Sequence, residues 1–456
     1  MNKINRRNFI KKTSLSGAAI ATASALSSSQ YKERDKMSQY MGDFAAPKLD
    51  KVKVAFIGVG ARGTGHAKQL ASIEGTEVVA ICDLYKDLAE RSKKLCLESD
   101  NERHKKIKLY YGGENDWIKM IEESKPDAVF ISTNWDNHAP MVIKTMELGS
   151  HAFVEVPMAT NLKDLWSIID TSEKTKKHCM MMENVNYGRD ELMFLNMCRK
   201  GFIGDFLHAE AAYIHELRFQ MEEQERGTGS WRTHHYAKSK GNLYPTHGLG
   251  PLSPMLNLNR GNRMLHLTST ATQSRGLHNY IVQKGGEDHP NADIKFKCGD
   301  IVTTVIKCVN GQSIVLSHDT NNPRPYSLNF RVQGTKGIWQ KDARSIYIQG
   351  VSEEEHRWES EEKYLEKYDH PLWKKFEDQA AGSGHGGMDF FILRAFIESV
   401  KGAEPVIDVY DAVSMSVISP LSEKSIRLGS AAVKIPDFTR GKWKTNDPIF
   451  GLDNYM

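Results

Sequence analysis

Three glycines in one short turn constrain the fold of this 456-residue chain more than any other feature of its sequence. The turn, Gly58-Val59-Gly60-Ala61-Arg62-Gly63, follows the apolar and β-branched run 52–57 and precedes a helix-compatible run at 64–73. Glycines at this spacing let the chain turn sharply from a strand into a helix, and they let a phosphate approach the backbone N–H groups at the helix start. The pattern therefore predicts a strand–turn–helix unit that opens a parallel α/β sheet.

A second apolar run, residues 77–82, ends in Asp83. At this point of such a unit, an acidic side chain accepts hydrogen bonds from ribose hydroxyls and repels a 2′-phosphate. Strand, glycines, helix, strand and acid thus follow the order of a dinucleotide-binding Rossmann unit, and the acid favours NAD over NADP. A helix N-cap is the alternative role for Asp83, and one side chain could serve both.

The alternation of strands and helices continues to about residue 185. Strands are predicted at 108–111, 127–133, 152–157 and 180–184, with one helix at 116–123 and another that follows the segment 134–140 and ends at Leu148. Ligands of doubly wound sheets bind beyond the carboxyl ends of the strands. We therefore expect Asn134-Trp135-Asp136-Asn137, Glu155 and Asn184 at the cofactor face.

The C-terminal part of the chain no longer alternates strand with helix, and most of its predicted elements are strands. Strands are predicted at 265–272, 300–309, 312–318, 327–332 and 337–341, with a hairpin signal at Asn310-Gly311 and helices at 253–258 and 389–401. Hydrophobic residues make up 40% of the chain, which is ample for two cores. We predict an α/β Rossmann domain over 51–185, followed over 186–456 by an α+β domain with an open, mainly antiparallel sheet.

The first thirty residues indicate an export signal. Arg6-Arg7-Asn8-Phe9 precedes a run of small apolar residues that is too short to span a bilayer, a pattern that resembles a twin-arginine signal. An ordinary secretory signal or a basic amphipathic terminus is the alternative. We interpret the polar stretch 31–50 as a linker. We expect a bacterial protein exported to the periplasm or outside the cell, with no membrane span in its mature part.

The composition limits the classes of partner that the protein can be expected to bind. The 61 basic and 57 acidic residues give a net charge of +4. This charge is too small for the basic surface that nucleic-acid binding requires, so we expect no nucleic-acid partner. The six cysteines include no C-x-x-C pair, which argues against a disulfide framework and a structural zinc site. His234-His235 and His247 suggest a metal, but neighbouring side chains in a strand or extended loop point apart, so we expect no metal. A small molecule or glycan is the expected partner, and the sequence leaves a homo-oligomer open.

Two further motifs carry a resemblance to a known family. Glu155-Val156-Pro157 follows the fifth strand, where the glucose-fructose oxidoreductase/inositol dehydrogenase (Gfo/Idh/MocA) family usually has E-K-P with a lysine that assists proton transfer. With Val156 in place of that lysine, the proton relay must come from elsewhere. Residues 228–235 (TGSWRTHH) and 244–251 (YPTHGLGP) make the chain similar to glycoside hydrolase family 109, the NAD-dependent α-N-acetylgalactosaminidases.

This resemblance implies an activity. Terminal α-linked N-acetylgalactosamine, as in the blood group A determinant, would be cleaved with a tightly bound NAD that is not consumed. A hydride leaves C3 of the sugar, the C2 proton is lost, the aglycone is eliminated, water adds at C1 and the hydride returns to C3.

The resemblance also implies site residues. The cofactor set would be Gly58, Gly60, Ala61, Arg62, Gly63, Asp83, Asn134, Trp135, Asp136, Asn137, Glu155, Val156, Asn184, Tyr244, Pro245, Thr246 and His247. The sugar set would be Tyr213, Arg232, Tyr244 and Tyr326.

Roles within these sets follow from side-chain chemistry. His247, in a turn-like loop, would be the catalytic residue beside the nicotinamide, because an imidazole titrates near neutrality; a structural histidine is the alternative. Tyr213 and Tyr244 would act as catalytic hydroxyls or stack on the sugar. Arg232 would hold a hydroxyl or the acetamido oxygen, with a surface ion pair as the alternative. The loop 382–387 resembles a G-H-G-G-x-D stretch near the cofactor of this family, with a plain surface loop as the alternative.

Two other functions stay open. A sugar dehydrogenase of the Gfo/Idh/MocA family would accumulate NADH with its substrate, whereas the glycosidase would release free sugar with no net NADH. A protein that holds the cofactor without turnover would be inert to every hexosaminide.

Overall fold

The structure is a computed structural model that describes residues 38–452. The predicted export signal lies outside these residues. All contacts given below belong to the unit that begins at Met41.

Six parallel strands form the first sheet, in the order β3-β2-β1-β4-β5-β6. Their bounds are Val52–Ile57 (β1), Thr76–Asp83 (β2), Lys108–Tyr111 (β3), Ala128–Ile131 (β4), His151–Val154 (β5) and Cys179–Met181 (β6). Every residue of β4 and β5 is buried, as expected for strands that helices cover on both faces. The strand order reverses between β1 and β4, and this switch point opens a crevice at the carboxyl edge of the sheet.

Six helices accompany this sheet. They are Ala61–Ser72 (α1), Lys86–Ser99 (α2), Asn101–His104 (α3), Asp116–Ser124 (α4), Trp135–Glu147 (α5) and Leu162–Thr175 (α6). Asn134 and Asn161 start α5 and α6 with N-caps, because each side chain accepts a hydrogen bond from the third helical N–H.

Nine strands form the second sheet, in the order β14-β13-β12-β11-β7-β10-β9-β8-β15. Their bounds are Phe206–Ile214 (β7), Met264–Ala271 (β8), Val302–Cys308 (β9), Ser313–Asp319 (β10), Arg331–Gly334 (β11), Gly337–Gln340 (β12), Ser345–Ile348 (β13), Glu359–Ser360 (β14) and Val433–Lys434 (β15). All neighbours are antiparallel except β7 and β10, which run parallel. The predicted Rossmann domain followed by an α+β domain with a mainly antiparallel sheet is confirmed.

Nine further helices lie in this second part of the chain, within its described residues up to 452. They are Arg189–Arg199 (α7), Thr228–Lys238 (α8), Thr246–Met255 (α9), Gly276–Gly285 (α10), Glu362–Tyr368 (α11), Pro371–Ala380 (α12), Met388–Val400 (α13), Val409–Ser416 (α14) and Ile418–Arg427 (α15). Short 3-10 turns lie at Asn184–Tyr187, Arg218–Glu222, His385–Gly387 and Lys442–Lys444. None of the helices in this described part of the chain is both long and apolar enough to cross a membrane.

Three local predictions were wrong. His234 and His235 lie in helix α8 rather than in extended chain, and His247 lies in helix α9 rather than in a turn-like loop. Glycine and proline make α9 a poor helix by propensity, but eight of its ten residues are buried, so tertiary packing decides. The strand expected at 327–332 is confined to β11, because Asn329 has a positive φ of 47° that breaks the pleat.

An aromatic stack joins the two parts of the chain. Phe130 packs against Phe56 and Phe153 with ring centroids 5.5 and 5.2 Å away, and Phe153 stacks on Phe396 of α13 at 4.4 Å. All four rings are fully buried. Helix α13 is thereby held against the sheet beside the crevice.

Candidate active site

The glycine turn after β1 is shaped to accept a phosphate. Gly58 has a φ of +79°, and a Cβ on Gly63 would lie 2.1 Å from the Gly58 carbonyl oxygen, so neither position accommodates a side chain. Helix α1 begins at Ala61 with no side-chain N-cap and no acid in its first turn. Its first N–H groups therefore have no side-chain partner within the described chain, as an anion site requires.

Asp83 ends β2 beside this turn. Its Oδ2 accepts a hydrogen bond from the Val59 N–H at 2.7 Å and its Oδ1 accepts one from the Tyr85 N–H at 2.9 Å. The N-cap of α2 is Tyr85, so Asp83 is not the helix cap that was its alternative role. Glycine turn, open helix start and fixed carboxylate together fit a dinucleotide.

Residues 134–137 begin α5 at the end of β4. Asn134 Oδ1 accepts from the Asn137 N–H at 3.1 Å, and Trp135 Nε1 donates to the Val156 carbonyl at 3.2 Å. Trp135 is buried, whereas Asp136 is exposed with its carboxylate 3.8 Å from His235 Nε2. The structure therefore brings Trp135 and Val156 together at the carboxyl ends of β4 and β5.

An ionic cluster joins α1, the end of β5 and α13. Glu155 Oε1 lies 2.8 Å from His66 Nε2, and Asp389 accepts from Asn184 Nδ2 at 2.6 Å and from Arg62 Nη2 at 3.4 Å. Burial would raise the pKa of Glu155, but the hydrogen bond from His66 and the charges of His66 and Arg62 outweigh it and lower this pKa to about 2. Both carboxylates are thus anionic, and they fix the side chains around the predicted cofactor site.

His385 belongs to the same cluster. Its Nδ1 lies 3.0 Å from both carboxylate oxygens of Asp389 and 3.2 Å from Arg62 Nη2. Its side chain is 42% exposed, so solvent reaches part of the imidazole. The loop 382–387 is therefore placed at the ionic cluster, and sequence reasoning had not assigned its histidine.

A second imidazole–carboxylate pair lies after β6. His247 Nδ1 is 2.7 Å from Oε1 of Glu183, which is fully buried. Helix α9 can come this close because a Cβ on Gly250 would lie only 2.6 Å from Glu183 Cγ. Sequence reasoning missed Glu183; its place at the carboxyl end of β6, next to Asn184, was the signal that could have found it.

Aromatic rings surround His247. Tyr213, near the end of β7, stacks on Tyr244 with centroids 4.2 Å apart, and His247 meets both rings edge-on at 5.4 and 4.9 Å. The Tyr213 hydroxyl lies 2.9 Å from His215 Nδ1. Burial raises the pKa of Tyr213 to about 12 and that of Tyr244 well above its usual value, so both phenols remain protonated near neutrality. Pro245 and Thr246, which start α9, set His247 against this stack.

Arg232 of α8 and Tyr326 border the stack. The Arg232 guanidinium lies 5.3 Å from the Trp135 ring and 5.8 Å from the Tyr244 ring, and Nη1 donates to Gln220 Oε1 at 3.2 Å. No ion pair within residues 38–452 includes Arg232, so the surface ion pair is not its role. Tyr326 is 54% exposed and 6.4 Å from the Tyr213 ring, at the rim.

Neighbouring charges affect His215, which lies beside the tyrosine stack. Burial lowers the pKa of His215, and the charges of Arg232, His247 and His385 lower it further. Within the described residues, no group of three or more His, Cys, Asp or Glu side chains is placed to hold a metal ion.

Two family descriptions match consecutive parts of the chain. Residues 52–183 match the Gfo/Idh/MocA oxidoreductase family, NAD-binding Rossmann fold, and residues 187–445 match the glycosyl hydrolase 109 C-terminal domain.

Curated relatives match nearly the whole chain. A glycosyl hydrolase family 109 protein of Shewanella baltica (strain OS185) is 44% identical over 457 residues, which cover 98% of this chain and 99% of that protein. Glycosyl hydrolase family 109 protein 1 of Akkermansia muciniphila is 48% identical over 418 residues, which cover 90% of this chain and 86% of that protein.

A solved structure shares the fold. The scyllo-inositol dehydrogenase from Lactobacillus casei, crystallised with NAD(H) and scyllo-inositol, superposes with a TM-score of 0.58 at 14% identity, covering 84% of this chain and 99% of that one. At this identity the similarity concerns the fold alone.

Proposed function

Since the chain belongs to glycosyl hydrolase family 109 and carries a Gfo/Idh/MocA-type NAD-binding domain, we propose that it cleaves terminal α-linked N-acetylgalactosamine, as in the blood group A determinant, with NAD bound throughout turnover. The family makes it a glycoside hydrolase; the sugar and the mechanism are the proposal. The observation that carries the mechanism is the His247–Glu183 pair at the cofactor crevice, in a chain without the E-K-P lysine.

The glycine turn and Asp83 would hold the dinucleotide, because they combine open helix N–H groups with a fixed carboxylate. When bound, NAD supplies a reversible two-electron oxidation of the sugar at C3, which lets the aglycone leave by elimination and water add at C1 before C3 is reduced again.

His247 is the base for the C3 hydroxyl. With Nδ1 held on Glu183, Nε2 at the opposite end of the ring is free to take the hydroxyl proton. The buried carboxylate orients the imidazole and stabilises its protonated form, as the third member of a catalytic triad does. No lysine is needed for this proton.

The stacked tyrosines and Arg232 position the sugar. Tyr213 and Tyr244 remain protonated, so their hydroxyls can donate to sugar oxygens while their rings offer a flat wall. Arg232 has no competing carboxylate and would bind the acetamido oxygen through its guanidinium N–H groups.

Elimination and water addition need a second proton carrier. His385 is a further imidazole with a carboxylate partner, and unlike the buried His66 its side chain is 42% exposed to solvent. We assign it to the leaving oxygen and the incoming water.

The export route belongs to the same proposal. Arg6-Arg7 and the following apolar run support twin-arginine export, a route that carries folded proteins, so NAD would be bound before the protein reaches the periplasm or the outside of the cell.

One assay tests the function. An aryl α-N-acetylgalactosaminide is supplied to purified protein with a chelator present; sugar release and NADH absorbance are followed, and the bound nucleotide is identified after denaturation. We expect free N-acetylgalactosamine, no net NADH and NAD in the protein. Accumulation of NADH without sugar release would establish the dehydrogenase alternative instead.

A further inference from the structure

A cleft of about 510 Å³ is lined in part by the loop 382–387. Its walls come from the start of α7, from Lys341 after β12, from α12 and from the loop itself. The volume falls within the range of about 300–1,000 Å³ typical of small-ligand sites. Apart from His385, none of the residues that line this cleft has a role in the mechanism above.

The cleft adjoins the reaction site through one residue. His385 lines the cleft and also contacts Asp389 in the ionic cluster. Because His385 is the residue assigned to the leaving oxygen, the cleft begins where the aglycone would emerge. A substrate whose aglycone continues beyond that oxygen would extend into it.

The cationic side chains of the cleft are already neutralised. Lys341 pairs with Glu191 and lies 3.8 Å from Asp190, while Arg189 Nη1 lies 2.7 Å from Glu377. Carboxylates therefore outnumber cations on the walls. An anionic ligand would be repelled by this surface.

One buried carboxylate oxygen beside the cleft lacks a donor, and two other carboxylates on its walls are partly exposed. Glu191 is 1% exposed and its Oε2 has no hydrogen-bond partner among the described residues, although Oε1 pairs with Lys341. A buried acceptor without a donor is costly and favours a ligand or water that donates. The side chains of Asp190 and Glu377 are 22% and 56% exposed, so they also present acceptors. Hydroxyl groups are the donors that match such a surface without adding charge.

We propose that this cleft binds the first sugar rings of the leaving group, as an uncharged and hydroxyl-rich saccharide. The inference rests on the proposed function, because it assigns the cleft to that substrate. Binding in the cleft would make the enzyme select among glycosides by the saccharide to which the N-acetylgalactosamine is attached.

The test fills the cleft without removing a contact. Ala381 is exposed, lines the cleft and has ordinary extended dihedrals (φ −57°, ψ 129°), so Ala381→Trp places an indole there without backbone strain. The measured quantity is kcat/KM for a blood group A trisaccharide divided by kcat/KM for methyl α-N-acetylgalactosaminide. We expect this ratio to fall at least tenfold in Ala381→Trp, and about fivefold in Asp190→Asn, which weakens one acceptor.

Ala403→Trp is the matched control, because Ala403 is exposed and follows the far end of α13. Its ratio should equal that of the wild type. Bound NAD and melting temperature are measured for all three variants, so that a folding defect is recognised. An unchanged ratio in both cleft variants would overturn the proposal.

A binding measurement separates this proposal from the proposed function. NAD-loaded protein is titrated with the free disaccharide that remains after N-acetylgalactosamine is removed, and saturation-transfer NMR reports contact. Wild-type binding that Ala381→Trp abolishes supports the cleft even if no glycoside is cleaved. If the wild type cleaves glycosides but binds no disaccharide, or if Ala381→Trp loses only glycopeptide cleavage, the saccharide assignment is wrong.

Discussion

His247 Nδ1 lies 2.7 Å from a carboxylate oxygen of Glu183 that solvent does not reach. The pair spans 64 residues of sequence and joins the end of the first sheet to helix α9 of the second part of the chain. A buried carboxylate in this place fixes the ring and balances the positive charge that the imidazole gains when it takes a proton.

Glu183→Gln should therefore reduce kcat by about 10²–10⁴-fold while KM changes little, because the variant keeps the shape and loses the charge. Steady-state kinetics on the aryl glycoside measure kcat and KM separately and so check this expectation. Bound NAD should match the wild type; a variant that instead loses NAD and keeps kcat would show Glu183 to be a cofactor residue.

His247→Ala should abolish cleavage, at about 10²–10⁴-fold or more in kcat, and retain NAD, because the imidazole acts on the sugar. His278→Ala, at an exposed histidine of α10, is the matched control and should behave as the wild type. Hydrolysis that continues unchanged in His247→Ala would remove this residue from the mechanism.

Asp83→Ala should weaken NAD retention about tenfold or more, since it removes the ribose acceptor and releases the Val59 N–H. Bound nucleotide per protein after gel filtration is the measurement. Asp293→Ala changes an exposed aspartate elsewhere and serves as the control. Equal cofactor content in both variants would contradict the ribose role.

A substrate deuterated at C2 should lose its label to solvent during cleavage, because a C3 ketone makes that hydrogen exchangeable. Mass spectrometry of the released sugar measures the loss. Full retention of deuterium would exclude elimination, and equally fast cleavage of a 3-deoxy glycoside would exclude the ketone itself.

Acid should destabilise the protein through Glu155. Its folded pKa of about 2 lies below the ordinary value of 4.5, so its stabilising contribution is complete above about pH 4.5 and is lost as the pH falls towards 2. Glu155→Gln should be less stable at neutral pH and should show a flatter decline of melting temperature between these limits. If the melting temperatures of variant and wild type fell in parallel with pH, the contact between Glu155 and His66 would contribute nothing to stability.

The sequence was sufficient to predict those parts of the site whose residues lie close together in the chain. Gly58 to Gly63 and Asp83 identified the dinucleotide unit because strand, turn and acid lie close together in the chain. Glu183 was missed because its partner His247 lies 64 residues away, and the Glu155–His66 contact spans 89 residues. Helices α8 and α9 were mistaken for extended chain and loop because burial, which is invisible in sequence, overrides their weak propensities.

The parallel pairing of β7 with β10 has a consequence for how the molecule is made. His208 of β7 pairs with Ser313, which leaves the ribosome 105 residues later, and the other neighbour, β11, is later still. At a synthesis rate of roughly 5–20 residues per second, the central strand waits several seconds with both edges unpaired. A fragment truncated before residue 313 would keep every strand of the nucleotide-binding half and expose β7 as a template for self-association.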